Sequence, residues 1–172
     1  MNFELQLTTH ETGAPIRRMW PLYTHDVSAY DGRTLNRHGI LSGDEDLSGF
    51  EDPGGWWSNA EVLFPYLARV DDRPAGFNLV AGGAMAEELG VDFAVYEFFV
   101  AAAYRGTAVA TQLAMEGIAR HRGRWEIVTY VNAPRPAAFW RKVLPQCAEG
   151  EVVESEEDHA FGRRVCWRFS NG

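Results

Sequence analysis

The chain has 172 residues, 46% of them hydrophobic and 23% charged, with a formal net charge of −8. That length and balance imply a single folded domain over 1–172, exclude a disordered chain and argue against general nucleic-acid binding. No apolar run approaches the roughly 20 residues that span a bilayer, and Met1 to His10 lacks the features of a signal peptide, so a cytoplasmic protein with no membrane partner is expected.

Phe3, Leu5 and Leu7 alternate with Glu4, Gln6 and Thr8, as in a half-buried strand. Pro15 is suited to open a helix running toward Ser28. Residues 31–60 are rich in Gly, Asp and Ser, and Gly43 to Asp46 and Pro53 to Gly55 read as loop. Trp56 and Trp57 inside this stretch are either a lid or an anchor to the core, and the burial energy of aromatic rings favours the anchor. Val62 to Val70 and Gly76 to Ala81 predict a hairpin turning on Asp71 to Pro74. Val91 to Val100 has the near-continuous apolar character of a strand buried on both faces.

A helix is expected over Thr107 to His121, with Ala110, Leu113, Ala114, Gly117 and Ile118 on one face and Gly123 after its end. Trp125 to Val131 is β-rich. Ala137 to Val143 predicts a short helix entered through Pro134 and Pro136 and stopped by Pro145. Glu151 to Val153 and Phe161 to Phe169 predict a closing hairpin around an acidic turn at Glu154 to Asp158. The order β, α, loop, β, β, β, α, β, α, β, β describes a mixed α/β or α+β domain with one main sheet.

Charge is uneven. From Arg105 to Lys142 there are seven bases and two acids, so this segment is +5 and the remainder −13. A small anion would be drawn to the first and a cation to the second, although a solvated helix face explains the arginines equally well. Cys147 and Cys166 form neither a disulfide framework nor a zinc pattern, which favours two free thiols. His10, His38, His121 and His159 have no ligand spacing, so no metal is expected. His25 and Asp26 are adjacent on the first helix and read as a surface pair, because helix neighbours do not face each other.

The chemistry concentrates in Val95 to Lys142. A strand ending at Val100 passes through Ala101 to Tyr104 into Arg105-Gly106-Thr107-Ala108-Val109-Ala110 and a helix. The first turn of a helix has N–H groups without intrahelical partners and a positive dipole end. Small residues there let a pyrophosphate approach, although small residues also open helices for packing reasons alone. Glu97 is the one carboxylate in the apolar run Phe93 to Val100. It must face solvent, pair with a base or line a site.

Tyr104 to Ala110 resembles the R-G-x-G-x-G/A acetyl-CoA motif of the GCN5-related N-acetyltransferases. Asn132 followed by Ala138-Phe139-Trp140-Arg141-Lys142 resembles that family's second signature, an Asn and then A-x-F-Y-x-K. Pro65 to Val70 with Pro74 to Phe77 is similar to the hairpin before these motifs. The resemblance covers about residues 62–143. It implies the acyl-CoA N-acyltransferase fold: a mostly antiparallel twisted sheet flanked by helices, splayed between the strands ending at Val100 and Asn132. It also implies direct transfer from acetyl-CoA to the amine of a small molecule or peptide, and it leaves a homodimer open.

The same resemblance assigns roles. Glu97 would take a proton from the acceptor ammonium, with a structural arginine pair as the competing reading. The backbone of Phe98, Phe99 and Val100 would pair with the pantetheine arm and supply an oxyanion donor, unless this is an ordinary sheet strand. Arg105, Gly106, Thr107, Ala108, Val109 and Ala110 would hold the pyrophosphate. Asn132 would bond the pantetheine amide or serve as a strand-end turn residue. Phe139 would pack on the cofactor and Trp140 would border the thioester, or both are core. Lys142 would reach a CoA phosphate or be a surface lysine. Two departures stand out. Ala108 replaces a usual Gly, which a helical φ tolerates. Trp140 replaces a Tyr that protonates the departing thiolate in many members. Indole is no acid near neutral pH, so water would do that work or the thiolate would leave unaided, or the chain would be a non-catalytic acyl-CoA-binding module.

Overall fold

The computed structural model describes residues 1–41, 55–159 and 162–172. Its strands are β1 (Phe3–Leu7), β2 (Leu63–Val70), β3 (Arg73–Gly82), β4 (Phe93–Val100), β5 (Arg124–Tyr130), β6 (Val153–His159) and β7 (Gly162–Ser170). Its helices are α1 (Ala14–Asp31), α2 (Gly83–Glu87), α3 (Val109–Ala119) and α4 (Pro134–Cys147). One seven-stranded sheet runs in the order β1-β2-β3-β4-β5-β7-β6, antiparallel throughout except for the parallel pair β4–β5. The mixed, mostly antiparallel sheet expected from the sequence is therefore present.

The two faces of the sheet bury different cores. On one face α3 and α4 contribute Val109, Leu113, Ile118, Trp140, Val143 and Leu144 to a cluster with Val95, Val100, Trp125, Ile127 and Trp167. On the other, Ile16 and Met19 of α1 pack with Leu67, Phe77, Leu79 and Phe99. Trp56 is 4% exposed within this second core, and the Trp57 indole donates to Thr8 Oγ1 at 3.1 Å. These tryptophans anchor the loop, as expected. Residues 42–54, including the Gly43 to Asp46 run, lie outside the described residues.

The structure corrects several boundaries. The β2–β3 turn needs only Asp71 and Asp72, both at positive φ (48° and 64°), so β3 begins at Arg73. This left-handed pair matches the twist of the flanking strands. A short α2 follows Gly82 where only a strand end was expected. α4 is not stopped by Pro145 but runs to Cys147. In the last turn, proline removes only one hydrogen bond, and Ala148 N closes the end on Leu144 O at 3.0 Å. The acids at 154–158 are not a turn; they form β6, an edge strand. Glu154 pairs with Arg141, Glu156 with Arg163 and Glu157 with Arg168, at 2.7, 3.2 and 2.6 Å. These pairs hold the acids in strand form, and charge on an edge discourages intermolecular pairing.

Candidate active site

β4 and β5 pair over only three positions, Phe93 with Trp125, Ala94 with Glu126 and Val95 with Ile127, and then part. The cause lies in β4. Leu79 of β3 faces Glu97 while the next residue, Val80, faces Val95, leaving Tyr96 as an extra, bulged residue. A bulge bends its strand and re-aims the side chains beyond it. Past the bulge, the Ala101 N–H donates to Ala75 O at 2.9 Å. Antiparallel pairing alternates, so Phe99 and Glu97 turn their backbone groups toward β3, whereas Phe98 and Val100 turn theirs into the opening. Phe98 and Val100 stand opposite Asn78 and Gly76, at the positions of this ladder whose N–H groups point away from β3. Of the three strand positions expected to meet a cofactor through the backbone, Phe98 and Val100 face the gap and Phe99 does not.

The strand then delivers the chain through a single 3-10 turn, Ala102–Tyr104, to the motif at Arg105. Gly106 adopts φ +76° with open space on the side where a Cβ would point. Ala108 is right-handed (φ −67°), so its methyl costs nothing in backbone strain. Residues 105–108 are exposed, and the N–H groups of Gly106, Thr107 and Ala108 have no backbone acceptor among the described residues. α3 starts at Val109, two residues later than expected, because Thr107 Oγ1 accepts from the Val109 N–H at 3.3 Å and donates to Tyr104 O at 2.7 Å. Val109 is buried and Ala110 half-buried at the start of α3. The Arg105 side chain turns back: Nε donates to Val100 O at 2.8 Å, the guanidinium lies 5.6 Å from the Phe99 ring centre, and Nη2 pairs with Asp26.

Glu97 lies on the α1 face. Its Oε2 accepts a hydrogen bond from the Tyr23 hydroxyl, and Tyr23 meets Phe77 and Phe99 edge-on. Burial among these rings pushes the Glu97 carboxyl up to about 8. No arginine pairs with it among the described residues, so the structural ion pair weighed as its competing role is absent.

At the end of β5, Asn132 is exposed and its Nδ2 donates to Tyr30 O at 3.1 Å. Phe139 is half-buried and stacks on Phe98 with ring centres 5.5 Å apart. Trp140 is 4% exposed, edge-on to Phe98 at 4.9 Å and to Phe139 at 5.0 Å. Trp140 thus belongs to the α3/α4 core and Glu97 to the opposite face. Lys142 is exposed.

Sequence reasoning missed the part played by α1. Tyr23, Asp26 and Tyr30 stand at i, i+3 and i+7, on one helical face, and reach Glu97, Arg105 and Asn132 in turn. Asp26, read as half of a surface pair with His25, keeps that exposed neighbour and bonds Arg105 as well. His25 Nδ1 is 3.9 Å from Asp26 Oδ1. The i, i+3, i+7 spacing is visible in the sequence; its targets, some 70 to 100 residues away, are not.

No family model matches the chain, and no curated protein matches it in sequence. Solved structures do match in fold. An acetyltransferase from Thermus thermophilus aligns over 99% of this chain and 97% of its own, with TM-score 0.66 and 15% identity. PaiA N-acetyltransferase from Thermoplasma acidophilum, solved with coenzyme A, aligns over 99% of both chains, with TM-score 0.65 and 11% identity. The aminoglycoside acetyltransferase AAC(6')-Ib, solved with ribostamycin and coenzyme A, aligns over 99% and 94%, with TM-score 0.68 and 14% identity. The chain has the fold of the GCN5-related N-acetyltransferases.

Proposed function

We propose that residues 1–172 form one acetyltransferase domain that takes the acetyl group of acetyl-CoA and passes it to an amine of a small molecule or peptide. The observation that carries this reading is the run from β4 to α3. Two strand N–H groups, of Phe98 and Val100, point away from β3 into a parting strand pair and lead straight into an exposed left-handed turn and a helix N-terminus. An extended pantetheine arm would add to β4 as a further strand, and the diphosphate would meet the Gly106 to Ala108 amides and the first turn of α3. Structural neighbours with coenzyme A and an aminoglycoside support both the cofactor and the class of acceptor.

In this reading Glu97 removes the proton from the attacking ammonium on the α1 face. A β4 N–H stabilises the negative charge that develops on the thioester oxygen. Phe139 walls the pantetheine, Asn132 exchanges Tyr30 O for the pantetheine amide, and Lys142 reaches a phosphate. Arg105 joins the diphosphate by leaving Asp26. Trp140 shapes the wall without supplying a proton, so the thiolate leaves unaided or takes one from water.

Thermal unfolding with and without CoA is the direct test. CoA should raise Tm of the wild-type protein, Gly106→Asn should keep the rise, and Gly106→Val should lose it. Asparagine tolerates the left-handed turn and a β-branched residue does not. An unchanged rise with Gly106→Val would remove the assigned pocket. Binding without transfer to any amine of a broad panel would leave a binding module in place of an enzyme.

A further inference from the structure

Tyr23 belongs to neither motif, yet among the described residues its hydroxyl is the only hydrogen-bond donor to the Glu97 carboxylate. Its ring is fixed on three sides. Ring centres lie 5.3 Å from Trp20, 5.6 Å from Phe77 and 6.3 Å from Phe99, the last two edge-on. Ile16 and Met19 seat the same helix in the core two turns and one turn earlier. The hydroxyl is therefore delivered to one place.

The two oxygens of Glu97 are thereby made unequal. Oε2 accepts from Tyr23, while Oε1 has no protein donor among the described residues, and the side chain is only partly covered. A carboxylate tethered by one oxygen presents the other to an incoming proton. The bond also acts against burial: the surrounding rings favour the neutral acid, whereas a hydroxyl donor favours the carboxylate. Other charged groups around this face are engaged elsewhere. Asp26 pairs with Arg105, Asp31 with Arg33 at 2.7 Å and Glu126 with Arg168 at 2.5 Å, and Arg164 lies 3.6 Å over the Tyr130 ring. The Tyr130 phenol is raised chiefly by its own burial, and the Glu97 charge is the last of its causes.

Resting on the acetyltransferase reading, we infer that Tyr23 is the positioning residue for Glu97: it holds the ionised carboxylate by one oxygen and keeps the other turned to the acceptor ammonium.

Tyr23→Phe keeps the ring packing and removes only the hydroxyl. In protein isotope-labelled at the glutamate carboxyls, Glu97 is the NMR resonance that Glu97→Gln deletes, and its titration is read without turnover. Its midpoint should move up by about one pH unit in Tyr23→Phe. The pH profile of kcat should move with it, falling about tenfold near pH 7 and recovering to within about threefold near pH 10, with KM for acetyl-CoA unchanged. Fluorination of the Tyr23 ring beside its hydroxyl makes a stronger donor of nearly the same shape. It should move the midpoint the opposite way, and it carries the test if the phenylalanine variant fails to fold. An unmoved midpoint in the folded variants, or a kcat profile that stays in place while the midpoint moves, would overturn the inference. A moved midpoint in a protein that transfers no acetyl group would uphold the hold of Tyr23 on Glu97 and sink the acetyltransferase reading alone.

Discussion

Glu97 carries the sharpest expectations at the scale of single residues. Its carboxyl keeps a proton up to about pH 8 in the folded chain but only to its ordinary 4.5 when unfolded. Between those values the folded state holds more protons, so this group's contribution to stability falls as pH rises through the window and levels off above it. Urea unfolding at about pH 5 and about pH 9 should show Glu97→Gln gaining about 1–3 kcal/mol on the wild type at the higher pH, the figure being discounted for partial exposure. Turnover should rise with pH toward a plateau above about 8 and fall roughly 100-fold or more in the glutamine variant, with CoA affinity little changed. Trp140 offers the opposite case. If its indole only packs against Phe98 and Phe139, Trp140→Phe should keep kcat within about threefold, while Trp140→Ala should cost about 3–5 kcal/mol of stability. A large loss of kcat in the phenylalanine variant would give the indole a chemical role.

At the scale of elements, what could be read from the chain was whatever local pattern dictates. Alternation marked β1, a continuous apolar run marked β4, and a 3.6-residue stripe marked α3. What escaped was set by distant partners. The bulge at Tyr96 exists because of pairing with Leu79 and Val80, and no property of Tyr96 announces it. The acids of β6 resemble a turn until their arginines are placed beside them. Gly117 looked like one more small residue on the buried face of α3; in fact a Cβ there would stand 2.4 Å from Asn78 Nδ2. Asn78 is fully buried on β3, so the helix can approach only where a side chain is missing. Gly117→Ala should therefore destabilise by about 1–3 kcal/mol in chemical unfolding, despite alanine's better helix propensity, and a second change, Asn78→Ala, should recover part of the loss.

For the molecule as a whole, the motif spacing located both walls of the opening and the turn between them, because these are contiguous in the chain. The α1 side of the opening was not legible. It is assembled from α1, the bulge and β5, whose residues lie far apart in sequence and follow no shared period. The single observation that Tyr23, Asp26 and Tyr30 hold Glu97, Arg105 and Asn132 has a consequence for the order of events. A ligand that engages Arg105 and Asn132 must first detach them from α1, and α1 also carries the donor to Glu97. Filling one half of the cleft and filling the other are then a single balance viewed from two ends. By thermodynamic reciprocity, Asp26→Ala should change CoA affinity and the affinity for the acceptor's binding in the CoA complex together, each by about two- to fivefold, as titrations in both orders would measure. The helix that carries no motif would thus act as the messenger between the two substrates.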